Sequence, residues 1–255
     1  MDDYRTPGEK LARSGRKRKV QMSEATSVML ALTLSGGMQD AYSYLVRGKV
    51  FANAQTGNIV LMAEHFFSGD FASGVRYLFP VAFFALGVFV AEQIRGHFQY
   101  SGILHWRQMI VMLEIVMLLI VGLLPVNDVI NPLANAMTSF ACAMQVQAFR
   151  KVNGYAYAST MCIGNMRSGM EALSAYARTR NRELLLRAGQ YFLVIFTFFL
   201  GAGIGGALAG LAESRMIWIS CGLLVVSFLL MFFQSEEEKL ESDTDNVTFK
   251  QQHRC

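Results

Sequence analysis

One carboxylate in this chain stands where a carboxylate is costly. Asp40 closes the run Ser35-Gly36-Gly37-Met38-Gln39-Asp40 inside the apolar block 26–46. An unpaired acid at that depth of a bilayer costs at least a few kcal/mol, so it turns toward a partner or a cavity. Gly36 and Gly37 permit either close approach of another helix or a local break. Two chemistries are open to Asp40. Facing a cavity, it suits a proton- or cation-coupled carrier; set among small packing residues, it is protonated or bonded to a neighbouring helix.

Two polar runs interrupt apolar sequence further on. Asn53-Ala54-Gln55-Thr56-Gly57-Asn58 opens the segment 51–68, and Ser159-Thr160-Met161-Cys162-Ile163-Gly164-Asn165, followed by Arg167, lies in the segment 155–176. Asn, Gln and Thr supply neutral donors and acceptors, glycine lets backbone approach a ligand, and an interrupted helix bares further N–H and C=O groups. Solute binding is one use of such runs, and hydrogen bonding between helices is the other. Gln145 and Gln147 correspond in the second half to the Gln39–Asp40 region. A site shared between halves is therefore asymmetric, with a carboxylate at Asp40 and a cation at Arg167. A structural ion pair between Asp40 and Arg167 fits the sequence equally well.

The remaining polar residues argue against an enzyme. Glu114 interrupts the apolar run Met109–Leu124 and is a weaker site candidate, while Glu64, Glu92 and Glu171 belong at the membrane interface. His65, His97, His105 and His253 make no HExxH or Cys/His ligand pattern, and neither a Walker loop nor a GxSxG elbow occurs. An acid–base pair of Asp40 and Glu114 has no spacing to support it. Gly201-Ala202-Gly203-Ile204-Gly205-Gly206 lies within an apolar helix, so its GxxxG spacing reads as close helix packing rather than dinucleotide binding. Cys142, Cys162, Cys221 and Cys255 show neither metal nor disulfide spacing. The reading is a non-enzyme without cofactor or metal.

The elements that must position these residues are set by composition. Of 255 residues, 53% are hydrophobic and 16% charged, against roughly 25% charged in soluble domains. The apolar residues form blocks long enough to cross a bilayer core of about 30 Å as helices. Six are strong, at 26–46, 77–95, 108–126, 131–149, 188–211 and 216–233, and the two interrupted segments are weaker. The expected fold is an all-α integral membrane bundle of six transmembrane segments plus two weaker, re-entrant helices, with eight crossings as the alternative. Arg13, Arg16, Lys17, Arg18 and Lys19 precede the first block and read as a topology signal rather than a nucleic-acid patch. Residues 1–25 form a disordered basic cytoplasmic tail, 26–233 one membrane domain, and 234–255 an acidic cytoplasmic tail. Basic residues in the connections put both termini in the cytoplasm; Arg47 and Lys49 count among the few on the far side.

At an offset of about 106 residues, Met38-Gln39 recurs as Met144-Gln145 and Gly48 as Gly154, and Gly57-Asn58 recurs as Gly164-Asn165 with one residue inserted. The order of strong and weak segments also repeats, so halves 26–126 and 131–233 read as a duplication. Three crossings per half invert the second repeat, an architecture in which interrupted helices of transporters meet near the midplane.

Gly36-Gly37-Met38-Gln39-Asp40-Ala41, with Phe51, Thr56-Gly57-Asn58 and Met144-Gln145, resembles the YoaK-like bacterial membrane proteins, a family of unknown function. The likeness spans about 26–233. It implies a polytopic inner-membrane protein and brings no substrate, cofactor or catalytic residue; Ile163-Gly164 departs from the family's second Thr-Gly. The functional expectation is a small-solute transporter or channel whose pathway is drawn from Gln39, Asp40, Asn53, Thr56, Gly57, Asn58, Gln145, Gly164, Asn165 and Arg167. The alternative is a non-transporting scaffold or accessory subunit. Its partners are the lipid bilayer and a small solute or ion, with room for a homo-oligomer and no role for nucleic acid.

Overall fold

The computed structural model describes residues 26–98, 105–152 and 155–232. Both expected tails and the repeat position Gly154 lie outside the described residues. The chain forms helices α1 (Thr26–Val46), α2 (Gln55–Phe67), α3 (Phe71–Phe98), α4 (Trp106–Leu123), α5 (Asn131–Ala148), α6 (Cys162–Thr179) and α7 (Arg182–Ala212). A 3-10 turn, Glu213–Met216, leads into α8 over 217–232. Between α5 and α6, β1 (Lys151–Val152) pairs antiparallel with β2 (Tyr155–Ala156), Lys151 opposite Ala156.

Four stretches are long and apolar enough to cross a membrane: Phe71–Phe98, Trp106–Leu123, Arg182–Leu211 and Glu213–Phe232. α1 and α5 fall below that measure because of what they hide. α1 buries Thr33, Ser35, Gln39, Asp40 and Ser43, and α5 buries Asn131, Asn135, Thr138, Ser139 and Gln145. Large apolar side chains such as Phe79, Phe89, Leu119, Phe196 and Phe199 lie on the outside. A polar interior inside an apolar surface is the arrangement that suits lipid, where buried polar groups find each other and the surface needs none.

Small residues bring the interior helices together. α1 packs along α7 and α5 along α3. A Cβ on Gly201 would overlap the Leu34 carbonyl and one on Gly37 the Phe198 carbonyl, and one on Gly205 would lie 3.1 Å from Met38 Cα. The second crossing is built alike, since a Cβ on Gly87 would fall 2.5 Å from the Phe140 carbonyl oxygen and 2.8 Å from Ala143 Cβ. The GxxxG stretch thus serves close backbone approach. Its register also gives direction: Gly201 faces Leu34 and Gly206 faces Leu45, so α1 and α7 run the same way.

Both interrupted segments turn back along the helix before them. After α1 the chain bends at Gly48, whose φ of +91° favours glycine, and Lys49 comes next at +65°. It then runs beside α1, where Ala52 N donates to Ser43 Oγ (3.0 Å) and Asn53 N to Asp40 Oδ1 (2.7 Å). α2 therefore starts beside the middle of α1. It ends against the start of α3, where His65 stacks on Tyr77 and meets Asp70 at 3.4 Å. In the second half, Gln145 Nε2 donates to Ser159 Oγ (3.1 Å), so the chain before α6 likewise lies beside α5. α6 then packs on α7, with Gly169 against Tyr191.

At the other end of the bundle, His105 caps α4: its Nδ1 accepts from Arg107 N (3.4 Å) while Gln108 Oε1 accepts from His105 N (3.1 Å). Burial holds the imidazole below its ordinary 6.5, with the Arg107 charge acting in the same direction. The unfolded chain therefore binds the proton more readily, and the cap contributes above about pH 6.5 and is lost as pH falls through the lower folded value. His105→Asn, which caps without titrating, is expected to flatten the thermal midpoint between pH 7.5 and 5.5 in detergent. At the helix crossing, Gly201→Leu is expected to cost about 1–3 kcal/mol or more by overpacking. Gly203→Leu, facing open space, should leave the melting curve unchanged.

Candidate functional site

The polar residues of the interior gather on two sides of α1. On one side Gln39 sits in a fully buried set, its Nε2 donating to Ser35 Oγ (2.9 Å), Glu114 Oε1 (3.0 Å) and Ser220 Oγ (3.3 Å). Its amide oxygen accepts from Cys142 Sγ at 2.6 Å, and Ser35 and Ser220 share a 2.6 Å hydroxyl bond. Glu114 is 0% exposed and its Oε2 has no hydrogen-bond partner. The glutamate interrupting the α4 apolar run is thus held by the glutamine of α1, and Gln39 ties together α1, α4, α5 and α8.

Asp40 points to the other side of α1, toward the inward turn before α2. Its carboxylate receives Asn53 N, at the point where the chain prepares to enter α2. The α2 N-cap, Ala54, has no side-chain oxygen to offer, so the acid of α1 supplies the negative group that a helix start attracts. Asn53 Nδ2 reaches Gly36 O at 3.4 Å. From the second half, Thr160 lays its methyl on Gly36, and Gln145 Nε2 would be 4.0 Å from a Cβ there. Gly36 is the meeting point of the two inward turns. A side chain at that position would push Thr160 away.

Each turn is closed by the same device. Asn58 accepts from Phe51 N (3.0 Å) and donates to Phe51 O (2.7 Å); Asn165 accepts from Ala158 N (3.3 Å) and donates to Ala158 O (2.7 Å). In both cases the asparagine satisfies both backbone groups of the residue seven positions before it. Non-helical backbone inside an apolar body costs several kcal/mol per unpaired group, and one amide side chain removes two such groups at once.

Of the sequence candidates, Gln39, Asp40, Asn53, Asn58, Gln145 and Asn165 are buried and take part in these networks. A Cβ on Gly57 would lie 3.3 Å from the Phe51 ring. Three others point elsewhere. Thr56 and Gly164 are exposed on the outer faces of α2 and α6, and Gly164 has nothing within 4 Å of its Cβ position. Arg167 is exposed and bonded to Glu171 at 2.9 Å one turn along α6, so it forms neither an ion pair nor a shared site with Asp40. Helical period explains the difference: Asn165 faces inward, and a residue two positions on faces nearly the opposite way.

Arg47, expected among the loop charges of the far side, is instead 1% exposed. Its Nη2 donates to Val121 O and Leu124 O (both 2.8 Å), its Nη1 to Pro125 O (2.7 Å) and Asn131 Oδ1 (3.3 Å), and its Nε to Tyr42 Oη (2.7 Å). The guanidinium thus caps the C-terminal carbonyls of α4, where the helix dipole favours a cation. Beside it a small cleft is bordered by Gly48, Arg76, Asp128 and Asn135. At the opposite end of α5, Glu92 accepts from Gln147 and meets Arg150 (3.3 Å) and Arg95 (3.3 Å).

These features define a helical protein with several helices suited to crossing a membrane and a hydrogen-bonded polar interior. Residues 28–230 match the model of a family described as proteins of unknown function, DUF1275, and the chain belongs to that family. No curated protein and no solved structure matches it.

Arg47→Met keeps the length of the side chain but strips Leu124 O and Pro125 O of their donor, while Val121 O still accepts from Leu124 N. At about 1–3 kcal/mol for each buried acceptor left unpaired, a combined loss of roughly 2–6 kcal/mol is expected. The readout is the thermal midpoint in detergent, and Arg47→Lys, with a charge but no planar fork, should fall between the two.

Proposed function

We propose that the chain is a small-solute carrier or channel-like protein of the bacterial inner membrane, in keeping with its YoaK-like resemblance, and that its pathway runs past Asp40 between two inverted repeats. The observation that carries this reading is the meeting of two inward turns at Gly36, one arriving from each half. Solute and ion sites in inverted-repeat transporters lie where interrupted helices converge near the midplane.

The repeat reading has several supports. Asn58 and Asn165 make equivalent bonds seven residues back. The α1–α7 and α3–α5 crossings both seat glycine against a helix carbonyl, Leu34 in one and Phe140 in the other. Glu114 and Ser220, equivalent positions of α4 and α8, both adjoin Gln39.

The direction of the helices favours six crossings. Arg47 at the end of α1 meets the end of α4 and the start of α5, whereas Arg107 Nε at the start of α4 donates to Ala148 O at the end of α5. On this reading α1, α3, α4, α5, α7 and α8 cross, α2 and α6 enter from opposite faces and return, and both termini are cytoplasmic. The cleft beside Arg47 then opens toward the outside.

The test is uptake by proteoliposomes across a panel of small solutes, with single-cysteine labelling at Asn53, Thr160 and Asp40 in a background lacking native cysteines. Uptake of at least one solute class, lowered tenfold or more by Asp40→Asn, is expected, with a water-soluble maleimide reaching at least one of the three positions. Absence of labelling at all three in a folded protein would remove the pathway and leave the scaffold reading.

A further inference from the structure

We propose that Glu114 binds a proton where the two halves of the chain meet, and that this proton is the ion to which the carrier couples. Glu114 lies within the apolar stretch Trp106–Leu123 and is 0% exposed. Its Oε1 takes one hydrogen bond, from Gln39 Nε2 at 3.0 Å, and its Oε2 takes none. Among the described residues no Lys, Arg or His forms an ion pair with it. A carboxylate shut away from water needs a cation or several donors, because a buried charge without them is among the costliest groups a fold can hold. Gln39 has no more to give. Its Nε2 carries two hydrogens and already has three acceptors within reach, Ser35 Oγ (2.9 Å), Glu114 Oε1 (3.0 Å) and Ser220 Oγ (3.3 Å). Cys142 Sγ, 2.6 Å from the amide oxygen, holds that nitrogen toward Glu114. Oε1 therefore faces a donor, and the proton belongs on Oε2. It comes from water: one O–H bond forms at Oε2, the carboxylate charge is discharged, and no other bond changes.

Asp40, on the other side of α1, is supplied differently, since it receives both the backbone N–H of Asn53 (2.7 Å) and the Asn53 side chain. The other titratable groups near Glu114 are the thiols of Cys142 on α5 and Cys221 on α8, neither of which is ever positive. From α3, Glu92 and Arg95 pair with each other and with Arg150 beyond the end of α5. Nothing in these surroundings balances the charge once the proton leaves. Release therefore favours an arrangement in which water or a new donor reaches Oε2. Gln39 and Glu114 come from the first half, and Cys142 and Ser220 from the second, so opening this set shifts one half against the other. A ligand that binds one arrangement more tightly biases the equilibrium between them, and here the ligand is the proton. This role rests on the carrier reading, whereas the proton's place on Glu114 does not.

The experiment uses full-length protein in lipid nanodiscs at neutral pH and reads the infrared carbonyl stretch of a protonated carboxyl, which is distinct from the carboxylate bands. The expected result is such a band in the wild type that moves on isotopic labelling of glutamate, survives Asp40→Asn, and is missing from Glu114→Gln. The labelling is done on the wild type and carries the test if Glu114→Gln does not fold. Absence of a glutamate-derived band, or its persistence in Glu114→Gln, would overturn the site. Coupling is read in proteoliposomes with the membrane potential held at zero and an inward gradient of one pH unit, which supports accumulation of up to about tenfold at one proton per solute. Accumulation of several-fold is expected in the wild type and none in Glu114→Gln; equal accumulation in the two would overturn the coupling role. A glutamate band without uptake of any solute upholds the site and defeats the carrier reading. Solute uptake without the band does the reverse.

Discussion

A chain that leaves its helix inside an apolar body must provide for every backbone N–H and C=O it uncovers. In this protein that constraint is met by two asparagines, Asn58 and Asn165, each of which takes up both backbone groups of the residue seven positions before it. Without them the turns before α2 and α6 would carry unpaired groups, at several kcal/mol apiece in lipid. Closing the turns in this way frees the rest of each segment to lie along α1 and α5. The meeting at Gly36 depends on that closure.

The rest of the polar interior is organised around α1. One side of the helix, through Gln39, gathers Glu114, Ser220 and Cys142 into a buried network. Another offers Asp40 to the backbone ahead of α2, and its C-terminal end leads to Arg47, wrapped in the carbonyls of α4 and its connection. A helix with so many obligations cannot also be the most apolar. The shortfall of α1 and α5 on simple hydropathy is thus the other side of the polar residues they bury.

The sequence revealed the site through types that are out of place: an acid within an apolar block, and Asn, Gln, Thr and Gly where a lipid-facing helix needs none. Gln39, Asp40, Asn53, Asn58, Gln145 and Asn165 could be read in this way because each is expensive unless satisfied. Which face a polar residue takes was not legible in the same manner. Thr56 and Arg167 belong to the same short runs as Asn58 and Asn165 but project outward, because α2 and α6 each have an inner and an outer face that composition does not separate. Arg47 escaped for the opposite reason. Placed just past an apolar block, it has the signature of a solvated topology charge, and only the carbonyls contributed from α4, more than 70 residues away in sequence, show why it is buried. The same dependence on distant partners hid the bond from Gln39 to Glu114.

The glycine crossings have a consequence for how the molecule is made. α1 is matched to α7 and α3 to α5, so neither half contains the partner of its own central helix. During synthesis, which proceeds from the N-terminus at about 5–20 residues per second, α1 is complete well before α7 begins at Arg182. Asp40 and Gln39 find Asn53 and Glu114 within the first half, but the glycine face of α1 has no helix to pack against until α7 is made. The first half therefore starts with one flank uncovered, and a late helix determines whether the first one to emerge has a place to stay.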